Sequence, residues 1–161
     1  MKKGSLIILF LILILVLFGS YTAYYNKKKP NNYYYTNQLA KNLTLNKKYE
    51  IKILDNNFYK VEEVSEENIE IILSFIKELK KQNFIDKPQI INVKPKYKFF
   101  IKFLDNNDKF VVNIYDTKYI SIHPWDGEFT MDYITMENIP IRYNLYSLGK
   151  NTFVKYPDLN E

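Results

Sequence analysis

The 161-residue sequence has no cysteine, one histidine (His123), one arginine (Arg142), one tryptophan (Trp125) and four glycines. Without cysteine there are no disulfides, thiolate metal sites, cysteine nucleophiles or lipid-modified cysteine of a bacterial lipoprotein. A single histidine and a single arginine exclude multi-histidine metal centres and arginine-cluster phosphate sites. No cofactor and no metal site are expected, and no enzymatic activity. Acid is missing from the first 29 residues, whereas Lys2, Lys3, Lys27, Lys28 and Lys29 all fall there. The net charge of +5 resides in that stretch, because residues from Pro30 onward carry 18 basic and 18 acidic side chains. A neutral main domain removes the argument for a nucleic-acid partner. The 47% apolar and 25% charged residues are those of a globular chain long enough for one domain.

The longest uncharged stretch lies between Lys3 and Lys27, with an unbroken apolar run from Leu6 to Phe18. As a helix, Ser5–Tyr25 spans about 31 Å, matching a hydrocarbon core of roughly 30 Å. Tyr21, Tyr24 and Tyr25 follow where an aromatic belt meets the headgroups. The alternative is a removed signal peptide and a secreted product, but the cleavage positions are poor. Cuts after Ala23, Ser20 or Gly19 put Tyr21, Phe18 or Leu17 in the third-last place, where a small residue belongs. Leu17-Phe18-Gly19-Ser20 has the form of a lipoprotein box with serine in the place of cysteine. Residues 1–25 are therefore expected to be an uncleaved single-pass signal anchor in the cell membrane. Flanking lysines balance across the span, so charge does not orient it. The export-like start places the carboxyl domain outside the cytoplasm.

Residues 26–48, rich in Tyr, Asn and Lys and opened by Pro30, are expected to be a tether with a short helix at 38–42. As a flexible coil of about twenty residues it would average roughly 25 Å. Tyr33–Tyr35 suit headgroup contact, with an adhesive patch as the alternative. Asn42-Leu43-Thr44 matches the short glycosylation sequon.

Residues 49–161 are expected to form the globular domain, and a repeat organises it. Ile51-Lys52-Ile53-Leu54-Asp55-Asn56-Asn57 recurs as Ile101-Lys102-Phe103-Leu104-Asp105-Asn106-Asn107, fifty residues on. A weaker echo pairs Ser65–Ile69 with Thr135–Ile139, each opening on a hydroxyl residue suited to a helix cap. Apolar alternation at Tyr49, Ile51 and Ile53 predicts a strand, Asp55–Asn57 a turn, and Phe58–Val64 its return. Ser65 would cap a helix with Ile69, Ile72, Ile76 and Leu79 in one stripe and Lys77, Lys80 and Lys81 in its last turns. After a polar connection (83–96), strands are expected at 97–104, 109–115, 118–123 and 128–134. A last helix follows over 138–148, with Pro140 in its first turn and Gly149 as its stop. The class is α+β: after the transmembrane helix, an antiparallel sheet of five or six strands with two helices, an imperfect β-β-α repeat.

Two constellations are candidate sites. His123-Pro124-Trp125-Asp126-Gly127 has the composition of a tight turn, and Pro124, Trp125 and Asp126 form the candidate partner-binding loop. His123 with Asp126 as base and orienter is the hydrolase alternative, although no nucleophile is placed beside them. Lys80, Lys81, Lys94, Lys96 and Lys98 are the candidate contact for an anionic surface such as lipid headgroups or wall polymer, since only Asp86 opposes them over 80–102. Glu62, Glu63, Glu66, Glu67 and Glu70 fit no calcium loop and read as a solvated face.

The lysine-started span, the Tyr/Asn/Lys tether, Ser65–Lys80 and the turn Tyr119-Ile120-Ser121-Ile122-His123-Pro124-Trp125-Asp126-Gly127 resemble a family of small membrane-anchored domains of unknown function. That family occurs in low-GC Gram-positive bacteria (clostridia and bacilli), in keeping with the abundance of Lys, Asn, Ile and Tyr. It implies no activity, and its turns often carry glutamine before the proline, so His123 is not required. The expected function is an uncharacterised extracytoplasmic binding module for a cell-surface protein or ligand. An immunity or inhibitor protein against a secreted factor is the alternative.

Overall fold

Strand alternation and two hairpin turns dominate the chain from Tyr49 to Thr135, and the fold is built on them. The computed structural model describes residues 3–28, 31–45, 48–89, 91, 93–125 and 130–154. The chain divides into two units, Met1–Asn31 and Asn32–Glu161. The first is one helix, α1 (Lys3–Lys28). Its described side chains from Ile7 to Tyr21 are exposed, with apolar residues on every side. Those fifteen residues extend about 22 Å, short of a hydrocarbon core. Among the described residues no helix is long and apolar enough to cross a membrane. The rest of the expected span, Ser5, Leu6 and 22–25, lies where side chains are outside the description.

The second unit holds seven strands: β1 (Tyr49–Asp55), β2 (Lys60–Glu63), β3 (Phe84–Ile85), β4 (Tyr97–Phe103), β5 (Lys109–Ile114), β6 (Tyr119–Pro124) and β7 (Asp132–Thr135). They form one antiparallel sheet in the order β2-β1-β4-β5-β6-β7-β3. The helices of this unit are α2 (Tyr34–Leu45), α3 (Glu66–Glu78) and α4 (Leu145–Phe153). The class is α+β as expected, with one more strand and one more helix in the domain than the sequence suggested. The repeat has a direct structural meaning. β1 and β4 are antiparallel neighbours with Ile51 opposite Ile101, so the two copies pair with each other about a local pseudo-twofold. Their hairpins flank that axis as β2-β1 and β4-β5. Ile51, Ile53, Tyr97, Phe99, Ile101 and Phe103 point to the helical side, where Ile72 and Phe75 of α3 and Leu145 and Leu148 of α4 close the core.

Several expectations are corrected. The short helix expected at 38–42 extends over 34–45 and belongs to the domain rather than to a tether, because Tyr35, Leu39 and Leu43 recur at four-residue spacing and bury one face in the core. Asp132 of β7 holds the helix start: its Oδ2 accepts the Thr36 N–H at 2.7 Å and the Thr36 hydroxyl at 2.9 Å. Asn42, the sequon asparagine, donates to Gln38 O and to Asp108 Oδ2. Phe84–Ile85 form a strand inside the supposed polar connection, with Asn83 donating to Thr135 O at 2.9 Å beside them. Ser65 sits at the N-cap of α3 without a side-chain cap bond, and Lys80 and Lys81 lie beyond the helix, Lys81 opening a short 3-10 turn. The echo at Thr135–Ile139 starts no helix, since Asn138 takes a left-handed φ of 60°. A 3-10 turn at Ile141–Tyr143 intervenes, and Asn144 caps α4 through the N–H groups of Tyr146 and Ser147. Gly149 is inside that helix rather than its stop: a Cβ there would meet the Tyr97 ring at 2.8 Å.

Candidate functional site: the open sheet face

Helices cover one face of the sheet, and period-two alternation sends Lys52, Lys98, Phe100, Lys102, Val111, Asn113, Ser121 and His123 to the other. Trp125 follows the end of β6, where its N–H donates to Lys109 O at 3.0 Å and fixes the backbone. Its ring packs on Phe100 with centroids 4.8 Å apart, and Lys109 Nζ lies 5.7 Å above it. Trp125 is nonetheless 47% exposed. Together Trp125, Phe100, Val61, Glu50, Lys52 and Lys102 line an open groove of about 340 Å³. Its floor is aromatic and its rim carries more lysine than acid. A flat apolar group bearing negative charge suits it chemically.

The expected site residues are dispersed. Pro124 is one residue before Trp125 and so faces the helical side, where it lines a separate cleft with Gln38, Asp108 and Phe110. Asp126 lies outside the described residues. Of the five candidate lysines, Lys80 and Lys81 stand beside the β3 edge strand. Lys94 and Lys96 stand beside the β1–β2 loop, and Lys98 is on the open face. The sequence reasoning missed Phe100, although a signal was present: it is an aromatic at the outward position between Lys98 and Lys102 in an alternating strand.

The same face carries a buried polar cluster at β5 and β6. Ser121 Oγ takes a bond from Asn113 Nδ2 at 3.2 Å, lies 3.2 Å from the Tyr115 hydroxyl, and donates to Met131 Sδ at 3.3 Å. Ser121 is thus a satisfied core hydroxyl. His123, next on that face, has Nδ1 2.7 Å from the Pro124 carbonyl, which makes Nδ1 the protonated nitrogen. Burial pushes its pKa below the ordinary value, the Pro124 bond opposes this, and the Lys98 charge adds to the lowering. Neutral imidazole is the form at physiological pH. Among the described residues no group of His, Asp and Glu could hold a metal ion.

The comparisons with known proteins bear on this domain. The family model for a domain of unknown function, DUF4883, matches residues 29–149. Its start agrees with the boundary at Asn32 more closely than with a domain opening at Tyr49. The crystal structure of a "putative lipoprotein" from Clostridium perfringens is similar at 34% identity and a TM-score of 0.70, covering 79% of this chain and 99% of that one. No curated protein matches. With most of its length matched and the fold shared, the chain belongs to the DUF4883 family of unknown function.

Proposed function

We propose that the chain is a membrane-anchored binding module whose open-face groove takes an anionic ligand with a flat or apolar part, at the outer surface of the cell. The single observation that carries the binding role is the half-exposed Trp125 ring on Phe100 over the groove, with Lys52, Lys102 and Lys109 around it. An aromatic anchor flanked by cations, with no function in the core, is what a recognition surface needs. Anchorage is supported by the uncharged stretch between Lys3 and Lys27 within α1 and by the Clostridium perfringens neighbour's description as a "putative lipoprotein". Where a lipoprotein carries its modified cysteine this chain has Ser20, so an uncleaved helix replaces the lipid as the membrane device. A domain held near the bilayer meets membrane partners at raised effective concentration.

The reading implies binding without catalysis. A photo-crosslinking residue in place of Trp125 in living cells, followed by mass spectrometry, is expected to capture a discrete surface ligand or protein. Capture of nothing at position 125, with capture from Lys94 or Lys96 instead, would move the site off the groove.

A further inference from the structure

A second exposed surface lies at the other end of the sheet. One row of paired residues, Asp55, Tyr97, Ile114, Ile120, Ile134 and Phe84, crosses from β1 to β3. What extends beyond that row shares one end of the domain. Past Asp55 stands the β1–β2 loop, with Phe58 74% and Tyr59 73% exposed. Lys94 Nζ donates to the Tyr59 hydroxyl at 3.0 Å and lies 4.7 Å over its ring. Asn56 fastens the segment carrying Lys94 and Lys96 by bonds to the Pro95 and Lys96 carbonyls. The acid of this loop, Asp55, is buried and its Oδ1 is engaged by the N–H groups of Asn57 and Phe58. The surface is therefore two exposed aromatics, with Lys94 on Tyr59 and Lys60 beside Phe58, while the Lys96 ammonium stands next to them on α4, donating to the Tyr146 hydroxyl at 3.3 Å.

The domain also receives its chain at this end. Tyr33, just before α2, packs edge-on against Phe84 at 5.7 Å, and α2 then runs to Asn42, which bonds Asp108 at the opposite end. We propose that the Phe58–Tyr59 tip with Lys60, Lys94 and Lys96 docks onto the anionic lipid headgroups of the bilayer that holds the N-terminal helix. Aromatic rings with a polar edge sit at the headgroup level, and each nearby lysine favours an anionic surface about fivefold. The groove at Trp125, paired with the Glu50–Lys102–Lys109 row, is then held at the far end, turned to the outside. The proposal rests on the anchored reading, not on the identity of the groove's ligand.

The absence of cysteine makes the test clean. A fluorophore on Asn57→Cys, beside the two aromatics, is compared with one on Asp105→Cys at the tip of the β4–β5 hairpin. The full chain is reconstituted into phosphatidylcholine vesicles containing about a third phosphatidylglycerol and spin-labelled lipid. Quenching at position 57 is expected to exceed that at 105 several-fold. It should weaken about fivefold in the docking equilibrium for each of Lys60→Gln, Lys94→Gln and Lys96→Gln, and fall with Tyr59→Asn, a substitution the loop accepts because Asn107 holds the same backbone angle in the second hairpin. Equal quenching at 57 and 105, or the same signal in pure phosphatidylcholine, overturns the proposal. So does a label that answers to added anionic wall polymer and not to lipid. A chain that fails to float with the vesicles overturns the anchored reading and this proposal with it, whereas a floating chain with position 57 in water overturns the tip alone.

Discussion

Gly149 lies where α4 crosses β4, and the absence of a side chain is what lets the helix approach the Tyr97 ring. Gly149→Ala adds helix propensity but drives a methyl into a ring fixed in the core, and overpacking of that kind outweighs the gain. A net loss of about 1–2 kcal/mol is expected, read as a lower denaturant midpoint with an unchanged slope. The opposite sign is expected at the β1–β2 loop. Tyr59 occupies a left-handed φ of 53°, where Asn107 of the second hairpin occupies 59°. Asparagine tolerates that region better than tyrosine, so Tyr59→Asn should raise the thermal midpoint by about 2 °C even as it removes an exposed aromatic. His123 supplies a pH dependence with a definite sign. Its folded pKa lies below the ordinary value of about 6.5, so the unfolded chain binds the proton more readily. The contribution is complete above about pH 6.5 and is lost as pH falls from there through the lower folded pKa. His123→Gln should flatten this part of the stability–pH curve. If the binding reading holds, it also leaves crosslinking from position 125 intact, and abolished capture by a folded variant would favour the hydrolase alternative.

At the scale of elements, α2 shows how a polar-looking segment becomes structure. Its composition of Tyr, Asn, Gln and Thr offers weak helix propensity, and only a face of Tyr35, Leu39 and Leu43 recommends it. Burial of that face and the carboxylate of Asp132, ninety-six residues away, stabilise it. Asp132→Ala removes both bonds to Thr36, and a loss of about 2 kcal/mol is expected, since bonds to a buried carboxylate are stronger than neutral ones. Hydrogen exchange should locate the loss in 34–45 before it reaches the strands. Unchanged protection there would mean that packing alone holds the helix. The two hairpins make a related point. Their Leu-Asp-Asn-Asn segments are identical, yet the first hairpin turns at 56–59 and the second at 104–107. The two-residue difference between them preserves the faces of both strands, as a period of two requires.

At the scale of the whole molecule, the domain receives its chain at the end of the sheet away from Trp125. If α1 is an uncleaved anchor, intact-mass measurement of membrane-extracted protein will return the full chain, and protease added to cells with a permeable wall will remove the domain. A mature amino terminus near Ser20 or Tyr24 would show a released signal peptide, and full protection from protease would place the domain in the cytoplasm.

Local chemistry was enough to determine part of this protein from its sequence. Apolar alternation, broken by Leu54 and Phe100, marks β1 and β4, the stripe through Ile69, Ile72 and Ile76 marks α3, and Asp-Asn-Asn marks the turns, because each signal repeats within a few residues. The uncharged run from Ser5 to Tyr25 and the missing cysteine bound the membrane question in the same local way. What the tertiary structure alone decided was non-local. The copies of the repeat pair with each other, Phe84–Ile85 find an edge on β7, and Asp132 reaches α2. Pro124 and Trp125, adjacent in sequence, part to opposite faces, and the lysines of 80–98 separate into three places. The side of a sheet a residue faces, and what stands beside it, depend on pairings between segments as much as a hundred residues apart, and no window of the sequence contains both partners.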